Sequence, residues 1–414
     1  MKKQVRTSNW RLTVIVVLAV FLFLLLWHVA VFFWGVGSNE VFGYSVMRLN
    51  GGNPIVTRGM FAELGVPEEG ENINGPSVIR VPDWLPRDER TSPKANYYMY
   101  FARHGSDLVG DYIRLAWAES IEGPWTLFRI GADVSPGGRG VLDTGTDGTI
   151  EILGGRDIAG SVGSPDVIVD HANRRFVMYF HAQMMPKNQE PGGSRPVKLN
   201  SAALVATSWN GLDFNRSDND SQPDHGIRPH SLGRSYFRTF EANGWLYAIA
   251  NTGTMYRAPA PGILLDSEAI WAQAWERDDG PLQRTYKAAY AKQGLPPQLR
   301  FRHFAVLPAG DELHIFFSRK ADIHERIQMA VVDISGNNNW KEWPVSYPPL
   351  EILNPEKEWE GVNRPLKISK KGGATGVRQL RDPYILKDED GSLYLFYTGA
   401  GEEAIGVIQL FSES

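Results

Sequence analysis

RDPYILKDEDGSLYLFYTGAGEEAIGVIQL, residues 381–410, decides the fold of this chain because it contains one complete copy of a recurring pattern. A strand is followed by a Gly/Asp-rich turn, an aromatic-rich strand, a polar loop and another strand. The aromatic-rich strand occurs five times, as YYMYF (97–101), RFVMYF (175–180), LYAIA (246–250), LHIFF (313–317) and LYLFY (393–397). Repetition at a period that holds four strands is typical of a β-propeller, and the count predicts five blades.

The spacing of the repeats supports this prediction. The equivalent positions are 79, 70, 67 and 80 residues apart when they are taken as Met99, Met178, Ala248, Ile315 and Leu395. A stretch with helical character at 266–294 predicts an insertion between blades. We therefore predict an all-β chain in which 35–73 is a linker with a first pairing strand at 53–61, and 74–414 is a five-bladed β-propeller.

The composition excludes several classes of protein. The 414 residues are 43% hydrophobic and 11% aromatic, which is enough for a large buried core. The net charge is −4 and the basic residues are scattered, so no basic patch predicts a nucleic-acid partner. The chain has no cysteine, which excludes disulfide bonds, thiolate chemistry and cysteine-ligated zinc.

Residues 12–34 (LTVIVVLAVFLFLLLWHVAVFFW) form a long apolar run. At about 1.5 Å per residue, a helix of this length spans the ~30 Å hydrocarbon layer of a bilayer. Four basic side chains lie in the preceding segment 1–11, and the first charge after the run is Glu40. The positive-inside bias predicts a single-pass anchor with a cytoplasmic N-terminus and a periplasmic or extracellular propeller. A cleaved signal peptide is the alternative, although its apolar core is usually only about 7–15 residues long.

A propeller brings polar residues from all five blades to one mouth of its central channel. In each blade the inner strand starts at one rim, and the loop between the second and third strands returns to that rim. The side chains that this topology collects in the present sequence are mainly Asp, Glu, Arg and His. Carboxylates crowded among guanidinium and imidazole groups suit acid/base chemistry on a polyhydroxylated substrate.

Three carboxylates at this mouth are the predicted catalytic groups. We predict Asp166 as the base or nucleophile, Glu325 as the proton donor, and Asp382 as a pKa-tuning or substrate-binding group. The arginine surplus at the rim predicts an acidic sugar as substrate. The predicted substrate-binding residues are the other polar side chains of the mouth: Asn74, His104, His181, Arg238, Arg302, His303, Arg319 and Arg381.

Each candidate also has a structural interpretation. An aspartate beside a proline at a strand start often caps a turn. Glu325 and Arg326 can form an ion pair that braces a loop, and His104 and His181 can simply bond the backbone. No ligand spacing demands a metal ion, so we predict no cofactor. The chain also lacks the G-x-S-x-G, H-E-x-x-H, P-loop and G-x-G-x-x-G motifs, which argues against the chemistries that use them.

Several segments carry a resemblance to a known superfamily. They include NINGPSVIRVPDWL (72–85), YYMYFARH (97–104), SPDVIVD (164–170), DIHERIQMA (322–330) and RDPYIL (381–386). These segments resemble the five-bladed propellers of the arabinanase, levansucrase and invertase type, which include glycoside hydrolase family 43, and most of all an uncharacterised bacterial group of such propellers. The resemblance implies carbohydrate hydrolysis by carboxylates. It also leaves room for a structural Ca²⁺ ion, which related propellers often hold in the channel.

The family-43 catalytic residues do not match this chain position by position. The first inner strand offers Asn74 and Ser77 where the family has an aspartate, and the third offers Arg238 where the family has a glutamate. The bacterial group has a histidine shortly before Ser-Pro-Asp, where this chain has GSVG at 160–163.

Three hypotheses follow from the sequence. The first is a membrane-anchored glycoside hydrolase that acts on an extracytoplasmic glycan. The second is a non-catalytic propeller that binds a glycan or another partner. The third is an envelope assembly protein, which would require an exposed apolar patch that the sequence does not reveal.

Overall fold

The computed structural model of the chain describes residues 43–103, 111–131, 138–144, 149–150, 158–184, 200–215, 226–228, 231–261, 275–294, 301–320, 322–336, 339–368 and 374–412. The predicted basic segment 1–11 and anchor 12–34 lie outside these residues. Within them, no helix has the length and apolar character needed to cross a bilayer. The residues from Gly43 onward form one compact unit.

The described strands form five antiparallel sheets, so the predicted all-β, five-bladed propeller is confirmed. The first two strands are β1 (Tyr44–Arg48) and β2 (Val56–Thr57), and both pair with the last strand of the chain; the helix α1 (Arg58–Glu63) follows them. Blade 1 comprises β3 (Asn74–Arg80), β4 (Tyr97–Ala102), β5 (Tyr112–Ala118), β6 (Thr126–Phe128) and β7 (Leu142–Asp143). Blade 2 comprises β8 (Thr149–Ile150), β9 (Ile158–Asp170), β10 (Arg175–Met184), β11 (Asn200–Ser208) and β12 (Gly226–Ile227).

Blades 3 and 4 have four strands each, and blade 5 has three strands of its own plus β1 and β2 from the N-terminal part of the chain. Blade 3 comprises β13 (Arg238–Ala242), β14 (Trp245–Ala250), β15 (Thr254–Pro261) and β16 (Glu276–Asp278), and the helix α2 (Pro281–Lys292) follows it. Blade 4 comprises β17 (Phe301–Ala309), β18 (Glu312–Arg319), β19 (Ile327–Asp333) and β20 (Leu350–Leu353). Blade 5 comprises β21 (Arg381–Lys387), β22 (Leu393–Gly399) and β23 (Ala404–Ser412), with β1 as its outer strand. Short 3₁₀ turns lie at Asn50–Gly52, Pro67–Gly70, Arg87–Glu89, Asn251–Gly253 and Trp340–Glu342.

The N-terminal strand closes the ring of blades. Within the predicted pairing segment 53–61, only Val56–Thr57 pair with β23, and the following RGMF stretch is helical. Most of the closure comes from β1, whose Arg48 donates to the buried Glu360 carboxylate at 2.8 and 3.0 Å. Closing the ring in this way joins the first strand of the chain to the last, so the N-terminal part of the chain supplies the outer strand of blade 5.

The core lies between the blades. Five clusters of buried apolar side chains fill the five spaces between neighbouring sheets. Alternate residues of a strand point to opposite faces, so each central strand contributes to two clusters. In β4, Tyr98 and Tyr100 pack towards blade 2, whereas Met99 and Phe101 pack towards blade 5. This alternation explains why the aromatic-rich second strands are the most regular feature of the sequence.

The predicted helical insertion is present in part. The helix α2 buries Leu282 and Tyr286 against blade 4, where the Tyr286 ring lies 5.1 Å from the ring of Phe301. Residues 276–278, at the middle of the predicted insertion, instead form the outer strand of blade 3. Arg257 of β15 holds this strand through an ion pair with Glu276.

Candidate active site at the channel mouth

The inner strands β3, β9, β13, β17 and β21 line the channel and contact one another around the ring or are bridged by hydrogen bonds. Strand pairing fixes which of their residues are equivalent. In the second strand of each blade, the residue directly after the repeat position (Met99, Met178, Ala248, Ile315 or Leu395) pairs with one residue of the inner strand. These inner-strand partners are Ser77, Asp166, Arg238, Ala305 and Tyr384. We call these five residues the lower ring. The residues two positions earlier, nearer the strand starts, form the upper ring: Gly75, Ser164, Tyr236, His303 and Asp382.

The backbone at the upper ring is irregular. The pairing register shifts at the start of four inner strands, as expected for β-bulges. In the left-handed region, Ser164 has a φ of 49°, Tyr236 of 67° and Asp382 of 50°, whereas blade 1 uses Gly75 there. A residue with a side chain costs roughly 1–2 kcal/mol in this conformation relative to glycine. Three blades therefore keep a side chain where glycine is the less strained choice.

Three blades meet in one hydrogen-bonded chain at the upper ring. His303 Nε2 lies 3.0 Å from Ser164 Oγ, and His303 Nδ1 bonds the Asp382 carboxylate. All three side chains are buried. The Tyr236 ring packs edge-on against the His303 ring at 4.2 Å and against the His181 ring at 4.8 Å. This arrangement places a histidine between a hydroxyl and a carboxylate.

The charge on Asp382 is stabilised by its neighbours. Burial raises the pKa of a carboxyl group, but the charge and hydrogen bond of His303 and the charges of Arg381 and Arg302 together hold the pKa of Asp382 well below its usual range. Thr398 Oγ1 lies 3.5 Å from its second oxygen. Because an ionised carboxylate can only accept hydrogen bonds, His303 must carry a hydrogen on Nδ1.

The lower ring contains Asp166, which has different partners. Its Oδ2 accepts from Thr239 N at 2.8 Å and Thr239 Oγ1 at 3.1 Å, and its Oδ1 lies 3.6 Å from the Arg238 guanidinium. Arg238 also donates to the carbonyl oxygens of Pro165 and Phe304. Burial raises the pKa of Asp166 despite the charge of Arg238. Asp166 thus connects blades 2 and 3 one level below Asp382.

A second cluster, which we call the arginine clamp, surrounds Glu325. Its fully buried carboxylate pairs with Arg302 at 2.6 Å and with Arg381 at 3.6 Å, and Ser318 donates to it at 3.2 Å. Arg381 continues the network to Glu402 at 2.9 Å, and Glu402 accepts from Asn72, which also bonds Asn74. The predicted pair between Glu325 and Arg326 is absent from these contacts. Arg326 pairs instead with Asp322 and Glu351.

The remaining predicted residues are spread around the mouth. His181 belongs to the wall of the upper ring through its contact with Tyr236. Arg319 lies to one side, where it pairs with Asp322 at 2.7 Å and faces the aromatic rings of α2. His104 lies outside the described residues, so its role stays a prediction. Among the residues that the structure describes, no group of three or more His, Asp and Glu side chains is arranged to hold a metal ion.

Ser164 and Tyr236 are not among the site residues that the sequence predicts. A signal for Ser164 was present in the sequence. In three blades a dipeptide that ends in proline lies directly before the lower-ring residue: Gly75-Pro76, Ser164-Pro165 and Asp382-Pro383. Aligning these three dipeptides would have matched Ser164, rather than Asp166, with Asp382. No sequence signal connected Tyr236 to the histidines that it contacts.

No protein-family model matches this chain. An uncharacterized protein of Acanthamoeba polyphaga mimivirus is 29% identical over 347 residues, covering 82% of this chain and 83% of the viral protein.

Similar solved structures are glycoside hydrolases. A glycosyl hydrolase from Bacteroides ovatus has a TM-score of 0.49 at 11% identity, covering 90% of this chain and 94% of the other. An α-L-arabinofuranosidase from Lactobacillus brevis has a TM-score of 0.46 at 12% identity, covering 87% and 93%. A thermostable family-43 glycoside hydrolase has a TM-score of 0.45 at 12% identity, covering 82% and 89%. Because propellers host unrelated functions, activity has to be argued from the side chains of the site.

Proposed function

We propose that this protein is a glycoside hydrolase whose reaction takes place at the upper ring. The observation that carries the proposal is the position of His303, held by the ionised Asp382 at the point where the inner strands converge. A histidine whose other nitrogen is bonded to a buried carboxylate has a fixed tautomer and orientation, which is the requirement for a general acid or base. Five inner strands fix this geometry more rigidly than loops would.

Glycoside hydrolysis requires a proton for the leaving oxygen and activation of a water molecule. In this proposal His303 accepts the proton of the attacking water, and Asp382 orients His303 and balances its charge. The raised pKa of Asp166 suits a carboxyl group that donates a proton. Its catalytic role stays a prediction, but we now propose it as the acid instead of the base or nucleophile. Glu325 also stays a predicted catalytic group, although its two arginine partners favour a bracing role for it.

The arginine clamp provides the polar rim of the proposed site. Arg302 and Arg381 are bonded to Glu325 and Glu402, so their charges are largely balanced within the protein. This balance favours a neutral sugar over the acidic sugar that the arginine surplus predicts. We further propose that the apolar segment 12–34 anchors the protein and that the substrate is an extracytoplasmic glycan, supported by the length and flanking charges of that segment.

The test is sugar release by the full-length protein from a panel of polysaccharides and aryl glycosides, beside Asp382→Asn. The matched control is Asp388→Asn, because Asp388 is also buried and hydrogen-bonded but lies in the turn after β21, at the opposite rim. Release that persists in the control and is lost in Asp382→Asn supports the proposal. A folded protein that binds a glycan without cleaving it would instead establish the non-catalytic propeller.

A further inference from the structure

The hydrogen-bonded chain of the upper ring contains a residue that glycoside hydrolysis does not need. Ser164, His303 and Asp382 come from blades 2, 4 and 5, and His303 is 139 residues from Ser164 and 79 from Asp382 in the sequence. The order of atoms is hydroxyl oxygen, Nε2, Nδ1 and carboxylate oxygen. A serine hydrolase uses this order of groups, and unrelated folds reach it without a shared sequence motif.

We propose that Ser164, His303 and Asp382 also form a nucleophilic triad that cleaves esters of small acyl groups at the channel mouth. Because Asp382 accepts the hydrogen on Nδ1, the Nε2 atom of His303 can accept the hydrogen of Ser164 Oγ when the imidazole carries no charge. The absence of a G-x-S-x-G motif does not oppose this assignment, since that motif belongs to a strand-to-helix turn that a propeller does not contain.

The reaction is a balanced acyl transfer in two halves. Ser164 Oγ attacks the ester carbonyl carbon as its proton passes to His303 Nε2, and the bond to the alcohol oxygen breaks as that oxygen takes the proton. Water then gives a proton to His303 and its oxygen attacks the acyl carbon. The bond from this carbon to Ser164 Oγ breaks, Oγ regains the proton, and a carboxylic acid leaves. No oxidant, reductant or metal is required.

The oxyanion of this reaction needs a hydrogen-bond donor. The residue after Ser164 is Pro165, which has no N–H to offer, so the donor that often follows a nucleophile in the chain is missing. Arg238 donates to the carbonyl oxygen of Pro165, and its buried Nη2 has no hydrogen-bond partner among the described residues. We assign Arg238 Nη2 to the oxyanion. The lower ring thereby supports the reaction of the upper ring.

The surroundings of Ser164 set the size of the acyl group. A Cβ placed on Gly75 would lie 3.4 Å from Ser164 Cα and 3.8 Å from Ser164 Oγ, so the backbone of Gly75 borders Ser164 at a separation of about one methyl group. The Tyr236 ring closes another side through its contact with His303. Because Ser164 is itself buried, we expect an acetyl-sized group to react and longer chains to be excluded.

The first experiment is labelling of the full-length protein with a small fluorophosphonate, followed by peptide mass spectrometry. We expect a covalent adduct on Ser164 that is lost in His303→Ala. The matched control is Ser208→Ala, which removes an equally buried serine hydroxyl from the end of β11. An unlabelled Ser164 in folded protein would overturn the proposal, and this result needs no variant.

The second experiment is hydrolysis of 4-nitrophenyl acetate compared with 4-nitrophenyl octanoate. We expect acetate turnover to fall at least about 100-fold in Ser164→Ala and to stay within about twofold in Ser208→Ala, with little octanoate turnover in any form. Acetate hydrolysis that is absent, or unchanged in Ser164→Ala, would overturn the triad. Sugar release is measured on the same samples, so failure of the ester reaction is distinguishable from failure of the glycoside hydrolase proposal.

Discussion

Glu360 at the ring closure and Asp382 at the channel mouth are both buried carboxylates with lowered pKa, yet their surroundings differ. Glu360 accepts five hydrogen bonds, two from Arg48, one from the Tyr397 hydroxyl, and two from the backbone N–H groups of Glu356 and Lys357. Burial raises its pKa, but these donors lower it further than burial raises it. Asp382 has His303 and the more distant Thr398 as its hydrogen-bond partners.

The comparison shows that burial and a lowered pKa do not by themselves identify a functional carboxylate. Every partner of Glu360 is a permanent donor, and two of them, Arg48 of β1 and Tyr397 of β22, connect the first strand of the chain to the last blade through Glu360. The main partner of Asp382 is an imidazole, which can gain and lose a proton and which also contacts a hydroxyl group. The identity of the partner therefore distinguishes a carboxylate that fastens the ring from one that orients a proton-transferring group.

The largest expected effect is the loss of activity in Asp382→Asn. An asparagine amide can donate to His303 Nδ1 and so favour the wrong tautomer, which in triads lowers kcat by about 10⁴-fold. We expect kcat/KM for sugar release to fall at least about 1000-fold, with thermal unfolding as the control for folding. Activity within tenfold of the parent would remove the functional difference between Asp382 and Glu360.

The next largest expected effect is on the stability of the ring closure, where Glu360 lies. Arg48→Met leaves the buried Glu360 without its charged partner, and breaking a buried ion pair in this way costs about 3–5 kcal/mol. We expect the free energy of unfolding in urea to fall by that amount while kcat at low temperature is kept. Arg48→Met with Glu360→Gln is the matched control and should recover part of the loss. No destabilisation would mean that the closure does not depend on this pair.

A pH series sharpens the comparison further. The pKa of Asp382 is lower in the folded protein than the ordinary value of about 3.9, so its charge stabilises the fold above about pH 4 and loses this effect as pH falls. The difference in free energy of unfolding between the parent and Asp382→Asn should shrink by up to about 1.4 kcal/mol per pH unit below about 4. Urea unfolding at pH 7 and pH 3 measures it. A difference that grows in acid would contradict the ionised Asp382 of the native state.

The smallest expected effect belongs to a single hydrogen bond beside the closure. The Tyr44 hydroxyl of β1 lies 2.7 Å from His314 Nδ1 of blade 4. Tyr44→Phe removes this bond and keeps the ring, so we expect a loss of about 0.5–1.5 kcal/mol in the free energy of unfolding. His314→Asn tests the same contact from the other side. If Tyr44→Phe destabilises as much as Arg48→Met, the charged pair is not what distinguishes the closure.

Much of the candidate site could be predicted from the sequence. The repeat places Asp382, His303 and Asp166 at inner-strand starts, because strand order and strand direction follow from the repeated pattern. Their relative depth in the channel was missed, although the shared dipeptides Ser164-Pro165 and Asp382-Pro383 indicate it: Asp166 is two residues beyond the position equivalent to Asp382. The partners of Glu325 were also missed. A neighbour in sequence, Arg326, was the natural candidate, whereas the buried partners come from two other strand starts.

The sequence by itself determined the number of blades, the second strands that form the core, and the rim where the polar residues gather. Period-two alternation and turn residues act over a few residues, so each copy of the pattern specifies its own strands. Only the tertiary structure decided that β1 closes the last blade, and that His303 lies between Ser164 and Asp382. Those contacts join residues from different blades, and they exist only when the ring is closed and each inner strand has a fixed register against its neighbours.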